Sequence, residues 1–264
     1  GLEVAFPSPR QIMRRAMLRH KGFLMGLAVI IVVTLLTILA PVLAPHDPYA
    51  QDLGRRLVPP VWQAKGTWDH PLGTDNLGRD YLSRLIYGSR VSLLIGLSVM
   101  LIAGLIGTTL GLLAGYFGGK IDMFVSFLIT VRLALPAVLV AVAVVSLIGG
   151  SMRIVILVLG LLVWDRFAVV IRASTQQIRP LDYVAAATSA GCSTFRILAH
   201  EILPNLISNL IVVATLEVAR AILLEAALSF LGMGVQPPTP SWGLMISEGK
   251  EFMFFYPYLI TIPG

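Results

Sequence analysis

Six ionisable residues stand inside otherwise apolar stretches: Arg132, Asp165, Arg166, Glu217, Arg220 and Glu225. A charge in hydrocarbon is costly, so such residues face a bundle interior, pair with one another, or mark a route for a polar passenger. Glu217 and Arg220 are three apart and can pair on one helix face. Glu225 lies two turns beyond Glu217 with no opposite charge nearby in sequence, which makes it the leading candidate for lining a route or meeting a partner subunit. Asp165 and Arg166 are adjacent and diverge by about 100° on a helix, so each needs a different partner. Bracing between helices accounts for all six as well as contact with a passenger does.

Other chemistries lack their residues. There is no Ser–His–Asp set, no acid–base pair of carboxylates and no metal-ligand spacing. Cys192 is the single cysteine, which excludes an internal disulfide framework and a CxxC site. His46 and His70 are isolated in sequence and read as surface residues. Gly118-Gly119-Lys120 has the look of a phosphate loop, but Ala114 replaces the first glycine and Ile121 the Ser or Thr that the motif requires. No nucleotide is expected on this chain by that route.

The elements that must carry these charges follow from composition. The 264 residues are 56% hydrophobic and 13% charged, with a mean hydropathy of +0.84. Soluble domains carry roughly 25% charged residues, so this chain lacks the polar surface of a water-soluble globule. The net charge of +6 does not call for nucleic acid, because Lys and Arg cluster beside apolar runs, as Arg10, Arg14, Arg15, Arg19 and Lys21 do, and a basic flank is a topology signal. Runs of roughly 20 apolar residues cross a bilayer, and five are predicted: 22–43, 91–117, 123–148, 154–171 and 206–231. The first is too long for a signal peptide and reads as an anchor. A sixth stretch starts near Phe252 and would reach only about 20 Å as a helix by Gly264, so that span reads as incomplete.

Basic residues set the expected orientation. Residues 1–21 and the loop 172–204, with Arg172, Arg179 and Arg196, are predicted to be cytoplasmic, and the long 44–90 loop extracytoplasmic. Residues 91–264 would form the transmembrane core. In the span 91–117, Ala103, Gly107, Gly111 and Gly115 recur at every fourth position and make a smooth face for close helix packing.

The segment 180–204 reads as a built object. Pro180 ends one helix, and Asp182 is placed to cap the next over Tyr183–Ala190. Gly191 can supply the left-handed stop, Ser193 or Thr194 a further cap, and Pro204 the re-entry to the membrane. Ala185-Ala186-Ala187, Gly191 and Ile202-Leu203-Pro204 resemble the EAA loop of binding-protein-dependent ABC importer permeases. Ala185 stands where that family usually has Glu, which in this capping frame would complete a capping box with Asp182.

Two more segments narrow the resemblance. His70 to Asp80, continuing through Ser83-Arg84 to Arg90, and Ala227 to Pro238 followed by Pro240-Ser241-Trp242-Gly243 are similar to the dipeptide and oligopeptide permeases, and the chain resembles their C-type subunit. That family also includes nickel and glutathione importers. The resemblance implies an all-α integral membrane protein of the six-span type I ABC importer fold, in the bacterial inner membrane with its N-terminus inside. It implies a pore subunit rather than an enzyme, translocating dipeptides or oligopeptides, surrounded by membrane lipid. The implied partners are a homologous B-type permease subunit, two ATP-binding subunits that hold ATP and Mg, and an extracytoplasmic substrate-binding protein; no cofactor or nucleic acid is expected on this chain. Asp182, Tyr183, Ala185, Ala186, Ala187, Gly191, Phe195 and Arg196 would form the coupling surface for the ATPase.

Leu82, Leu85 and Ile86 share a helical face, which predicts a short amphipathic helix on the membrane surface just before the second span. Asp75, Arg79, Asp80 and Trp242 are the residues expected to meet the binding protein, with the Pro-rich 237–240 loop beside them. The rival reading, an ion-coupled secondary transporter or channel, would show broken helices in inverted repeats and leaves the capped loop unexplained.

Overall fold

The computed structural model describes residues 20–264. The basic flank from Arg10 to Arg19, and with it most of the 1–21 segment, lies outside the described residues. Among the described residues, four helices are long and apolar enough to cross a membrane, and one bent pair brings the number to five. The predicted all-α architecture is the one observed.

Helix α1 (Lys21–Ile38) opens on His20, whose ring accepts the Phe23 N–H at 3.1 Å. It is apolar all round and buries none of its residues, as a helix facing lipid does. Pro41 then starts the short α2 (Ala40–Leu43). Two polar contacts latch α1 to the next long helix: Thr37 Oγ1 meets Ser89 Oγ at 2.9 Å, and Arg90 Nε donates to Thr37 O at 2.9 Å.

That next helix, α3, runs unbroken over Tyr81–Phe117, and Asp80 caps it by accepting the Ser83 N–H at 2.8 Å. The expected interfacial helix before Val91 is therefore no separate element. Tyr81, Ser83, Arg84 and Ile86 are buried, because the first turns of α3 are covered by the chain's own later segments. At about 1.5 Å per residue α3 outreaches a roughly 30 Å hydrocarbon core, so one end projects beyond it.

Two predicted spans differ in form. The run 123–148 is broken into α4 (Gly119–Ala134) and α5 (Ala137–Ile148), bent by 83°. Pro136 is the reason: it has no N–H to continue the ladder and drives Leu135 into an extended conformation (φ −97°, ψ 123°). The run 154–171 extends to α6 (Met152–Leu162) and α7 (Asp165–Ile178), with a one-turn irregularity at Val163-Trp164.

The small-residue face of α3 seats α7. A methyl on Gly107 would overlap the Trp164 carbonyl and lie 2.5 Å from Phe167 Cβ. On Gly111 it would lie 2.8 Å from Ala168 O, and on Gly115 2.6 Å from Thr175 Cβ. The largest core cluster continues from this seam, where Ile95, Val99 and Ala103 of α3 meet Phe167, Leu159 and Leu228.

The last apolar stretch, up to Gly264, holds only short helical turns. After α11 (Trp242–Gly249; α8 to α10 are described below), a 3₁₀ turn at Lys250–Phe252 and a single turn, α12 (Tyr258–Thr261), fold back on the start of α3. Tyr81 donates its hydroxyl to Leu259 O at 2.6 Å, and Tyr258 to Val58 O at 3.2 Å. Pro257 and the chain's turn at Phe255-Tyr256 prevent one continuous helix from Phe252.

The seam yields a prediction with opposite signs at two glycines. Gly26 in α1 has nothing within 4 Å of an added methyl, so Gly26→Ala should raise the melting temperature in detergent by the helix-propensity gain of up to about 1 kcal/mol. Gly107→Ala should lower it, because overpacking two backbones costs about 1–3 kcal/mol. Equal shifts for the two variants would contradict the close seam.

Candidate functional site

The 179–204 segment is anchored from inside and displayed outside. Helix α8 spans Asp182–Ser189, with Leu181 as its cap residue and no side-chain cap. Asp182 is thus the first helical residue, not the cap, since the Leu181 carbonyl already receives the Val184 and Ala185 N–H groups at 3.0 and 3.1 Å. Ala185 falls at the fourth helical position, so the capping-box argument does not apply to it; Asp182 instead complements the helix dipole from the first turn.

Val184 is buried with Ile171, Ile197, Ile202 and Leu206, and this apolar plug fixes α8 to the membrane helices. Asp182, Tyr183, Ala185 and Ala186 face outward and Ala187 is half-buried. Gly191 ends the helix at φ +76°. The Cys192 N–H reaches back to Ala187 O at 3.1 Å, a Schellman closure that needs the left-handed residue. Ser193 then caps the short α9 (Thr194–Arg196) by accepting the Arg196 N–H at 3.4 Å. Phe195 is 77% exposed, and Arg196 beside it is exposed too.

Pro204 does not end this helix. A π-helical turn over Ile197–Ile202 shifts the bonding so that the Leu203 N–H reaches Leu198 O, and α10 (Leu203–Phe230) follows directly. The wider turn absorbs the donor that proline lacks. The result is one rod from the exposed Phe195 to the bilayer interior. A second tie is the bidentate pair of Arg172 with Asp122, whose Nη2–Oδ2 bond is 2.7 Å. It joins the base of α7 to α4 and was missed in the sequence, because the two residues are far apart and neither sits mid-span.

The membrane charges pair across helices. Arg132 Nη2 lies 3.8 Å from Asp165 Oδ1, while its Nη1 donates to Leu135 O at 3.1 Å and its Nε to Leu162 O. It thereby satisfies carbonyls freed at both helix breaks. Arg166 Nε is 3.4 Å and Arg220 Nη1 3.5 Å from the same Glu217 Oε1. Asp165 and Arg166 do have different partners, and Glu217 and Arg220 do pair. A crevice of about 310 Å³ between α4, α7 and α10 is lined by Leu133, Asp165, Arg166, Val169, Val213 and Glu217. Its lining combines apolar side chains with charges that are already engaged in these pairs.

Glu225 sits apart from this crevice. It is fully buried, and accepts the hydroxyls of Ser229 at 2.7 Å and Ser241 at 3.0 Å. Ser241 in turn caps α11 through the Leu244 N–H at 3.1 Å. In this chain Glu225 clamps the 232–243 loop onto α10.

Of the expected docking residues, Asp75, Arg79 and Asp80 are buried in polar networks instead of forming a surface, and Trp242 is half-buried. Asp75, Arg79 and Asp80 are each no more than 3% exposed. Asp75 receives Arg79 Nε at 2.6 Å and also Arg84, while Glu248 receives Arg79 Nη2 at 3.1 Å and Arg84 Nη1 at 2.7 Å. Trp242 donates its indole N–H to Leu85 O and its backbone N–H to Ser92 Oγ, both at 3.1 Å. These four residues lock the 44–90 loop and α11 to the start of α3. Gln236, Pro237 and Pro238 remain exposed nearby.

Similarity to known proteins covers both ends of the chain. Residues 107–264 match the family model "binding-protein-dependent transport system inner membrane component", and residues 8–60 match the "N-terminal TM domain of oligopeptide transport permease C". The chain is 40% identical over 246 residues to the dipeptide transport system permease protein of Haemophilus influenzae, covering 93% of this chain and 83% of the relative. It is 39% identical over 261 residues to the di/tripeptide transport system permease protein of Pseudomonas aeruginosa, covering 99% and 86%. A glutathione transport system permease protein of Pectobacterium atrosepticum is 35% identical over 255 residues, covering 97% and 83%. Among solved structures, an inward-facing form of the MetNI methionine ABC transporter superposes with a TM-score of 0.57 at 16% identity, over 68% of this chain and 86% of that one.

The Arg132–Asp165 pair makes a measurable claim. Arg132→Gln should destabilise the chain in detergent by about 3–5 kcal/mol, since it strands a buried carboxylate. Adding Asp165→Asn should restore part of that loss. A single variant as stable as the parent would show that Arg132 braces nothing.

Proposed function

This chain belongs to the binding-protein-dependent transport system inner membrane component family, and from that membership and the geometry of the 179–204 segment we propose how it works and what it carries. It is a multi-pass inner-membrane permease subunit of an ABC importer, a pore component and not an enzyme, and it works with ATPase and substrate-binding subunits. Its substrate is a dipeptide or short oligopeptide, the class named for its 39–40% identical relatives. Glutathione is itself a short peptide, so the relative of that name supports the same chemistry. The assembly holds this subunit, a homologous B-type permease, two ATP-binding subunits carrying ATP and Mg, and one extracytoplasmic binding protein. The N-terminus and the 172–204 loop face the cytoplasm.

The observation that carries the coupling role is the exposed Phe195 on a segment whose other side is plugged by Val184. Ala185, Ala186 and Ala187 offer small side chains, flanked by Asp182 and Tyr183, to a groove on the ATPase, with Phe195 and Arg196 as anchor and charge. Closure of the ATP-bound subunits pulls this surface. Because α9 runs through the π turn into α10 and only the short turn at 179–181 joins α8 to α7, the pull tilts the helices that line the 310 Å³ crevice. The bend at Pro136 is the broken helix a secondary transporter would have; here it serves to bring Arg132 to Asp165.

The test is capture of the ATPase by the purified membrane subunits. Losing burial of one aromatic side chain costs about 1.5–3 kcal/mol, so Phe195→Asp should weaken capture at least about tenfold. Gly191→Pro should do the same, because proline cannot adopt φ +76°. In both variants the two membrane subunits should still assemble. Undiminished capture by Phe195→Asp would refute the assignment of this surface. For the substrate, reconstituted transporter should accumulate labelled dipeptide only with ATP inside and binding protein outside; uptake of methionine or nickel in its place would overturn the peptide reading.

A further inference from the structure

His46 and His70, isolated in the sequence, stand face to face in the fold. Their ring centroids are 4.7 Å apart. The turn after α2 brings His46 over the 69–80 loop, where its backbone N–H donates to Ser83 Oγ at 3.0 Å. The exposed carboxylate of Asp69 joins them: His46 Nε2 lies 3.6 Å from Asp69 Oδ1, and His70 Nε2 3.8 Å from Asp69 Oδ2. On the opposite side of both rings sits Asp80. His70 Nδ1 bonds Asp80 Oδ1 at 2.8 Å, and His46 Nδ1 is 3.7 Å from the same oxygen.

This arrangement has a direction. The two Nε2 atoms converge on one carboxylate while a second, buried carboxylate backs the Nδ1 atoms. A carboxylate behind a ligating imidazole is the usual outer support of a metal site: it fixes the tautomer with the lone pair on Nε2 and raises its basicity. The Asp80–His70 bond fixes the orientation of that ring here, and Asp80 is itself held by the Ser83 N–H and hydroxyl at 2.8 and 2.7 Å. We propose that His46, His70 and Asp69 form a divalent transition-metal site, of the imidazole–carboxylate class that suits zinc, with Asp80 as its outer-sphere support.

The spacing allows closure. One donor atom from each residue lies within 4.8 Å of the others, whereas a tetrahedral ion with bonds of about 2.0–2.2 Å wants donors about 3.4 Å apart. His46 and Asp69 can make up that difference, with side chains 36% and 52% exposed. A crevice of about 170 Å³ lined by His46, His70, Asp52, Arg55 and Asp80 opens beside the rings, with room for water in the fourth position. Arg55, which pairs with Asp69, is the competitor that an ion must displace, and its side chain is 54% exposed. A bound ion would staple the chain leaving α1–α2 to the cap of α3, stiffening the outer loop that the Asp75–Arg79–Arg84–Glu248 network already holds.

The test uses the intact transporter in detergent, stripped with EDTA and titrated with Zn²⁺, with binding read by calorimetry and coordination by zinc X-ray absorption. One Zn²⁺ per copy of this chain is expected, with imidazole and carboxylate ligands. Loss of an outer partner alone typically costs 10–100-fold in affinity, so loss of a direct ligand in His46→Ala or Asp69→Asn should cost at least about a hundredfold. Both substitutions are at partly exposed positions and leave the His70–Asp80 bond intact; an unchanged melting temperature in EDTA will show that the fold survives. Arg55→Gln should tighten binding by freeing Asp69. Absence of stoichiometric Zn²⁺ on the parent, or affinity that neither His46→Ala nor Asp69→Asn reduces, overturns the site.

Discussion

Everything functional in this chain hangs on how closely α3 and α7 approach. In a bilayer there is little hydrophobic gain in bringing two apolar helices together, so contact must come from shape. Gly107, Gly111 and Gly115 let the α7 backbone sit against the α3 backbone from Trp164 to Thr175. That seat fixes both ends of α7. Its first residues, Asp165 and Arg166, are aimed at Arg132 and Glu217, and its last turn delivers the chain to α8. A side chain anywhere along the stripe would move the charge cluster and the loop together.

The same membrane constraint explains the charge geometry. Backbone groups freed inside hydrocarbon must be satisfied within the protein. The breaks at Leu135-Pro136 and Val163 free such carbonyls, and Arg132 answers both with Leu135 O and Leu162 O as acceptors. One arginine thus lets two helices break near the crevice while its remaining charge balances Asp165. On the other side of the crevice, Glu217 is shared by Arg166 of α7 and Arg220 of its own helix, so one carboxylate links α7 to α10.

What could be read from the residues was local. The glycine stripe, the left-handed stop at Gly191, the Ser193 cap and the Glu217–Arg220 pair each rest on spacings of a few residues, and each is present. What could not be read was long-range or compensated. Pro136 sits inside an apolar run whose length alone implies a span, and the π turn that carries the helix past Pro204 has no simple sequence signal. Asp75, Arg79 and Asp80 read as surface charges, since the network that buries them closes through Glu248, 164 to 169 residues away from the arginines it binds. His46 and His70 look unrelated for the same reason, and the fold-back of the final stretch onto Tyr81 is likewise a tertiary event.

The most direct test of the account is a cross-link. Cys192 is the lone cysteine, so Cys192→Ser provides a background in which a single thiol can be placed at Phe195→Cys, with Trp62→Cys in the 44–90 loop as its counterpart. In the assembled transporter, a short bifunctional reagent should join position 195 to the ATPase subunit and should never join position 62 to it. A cross-link from 62, or none from 195 in a complex that hydrolyses ATP, would place the coupling surface elsewhere and contradict the account.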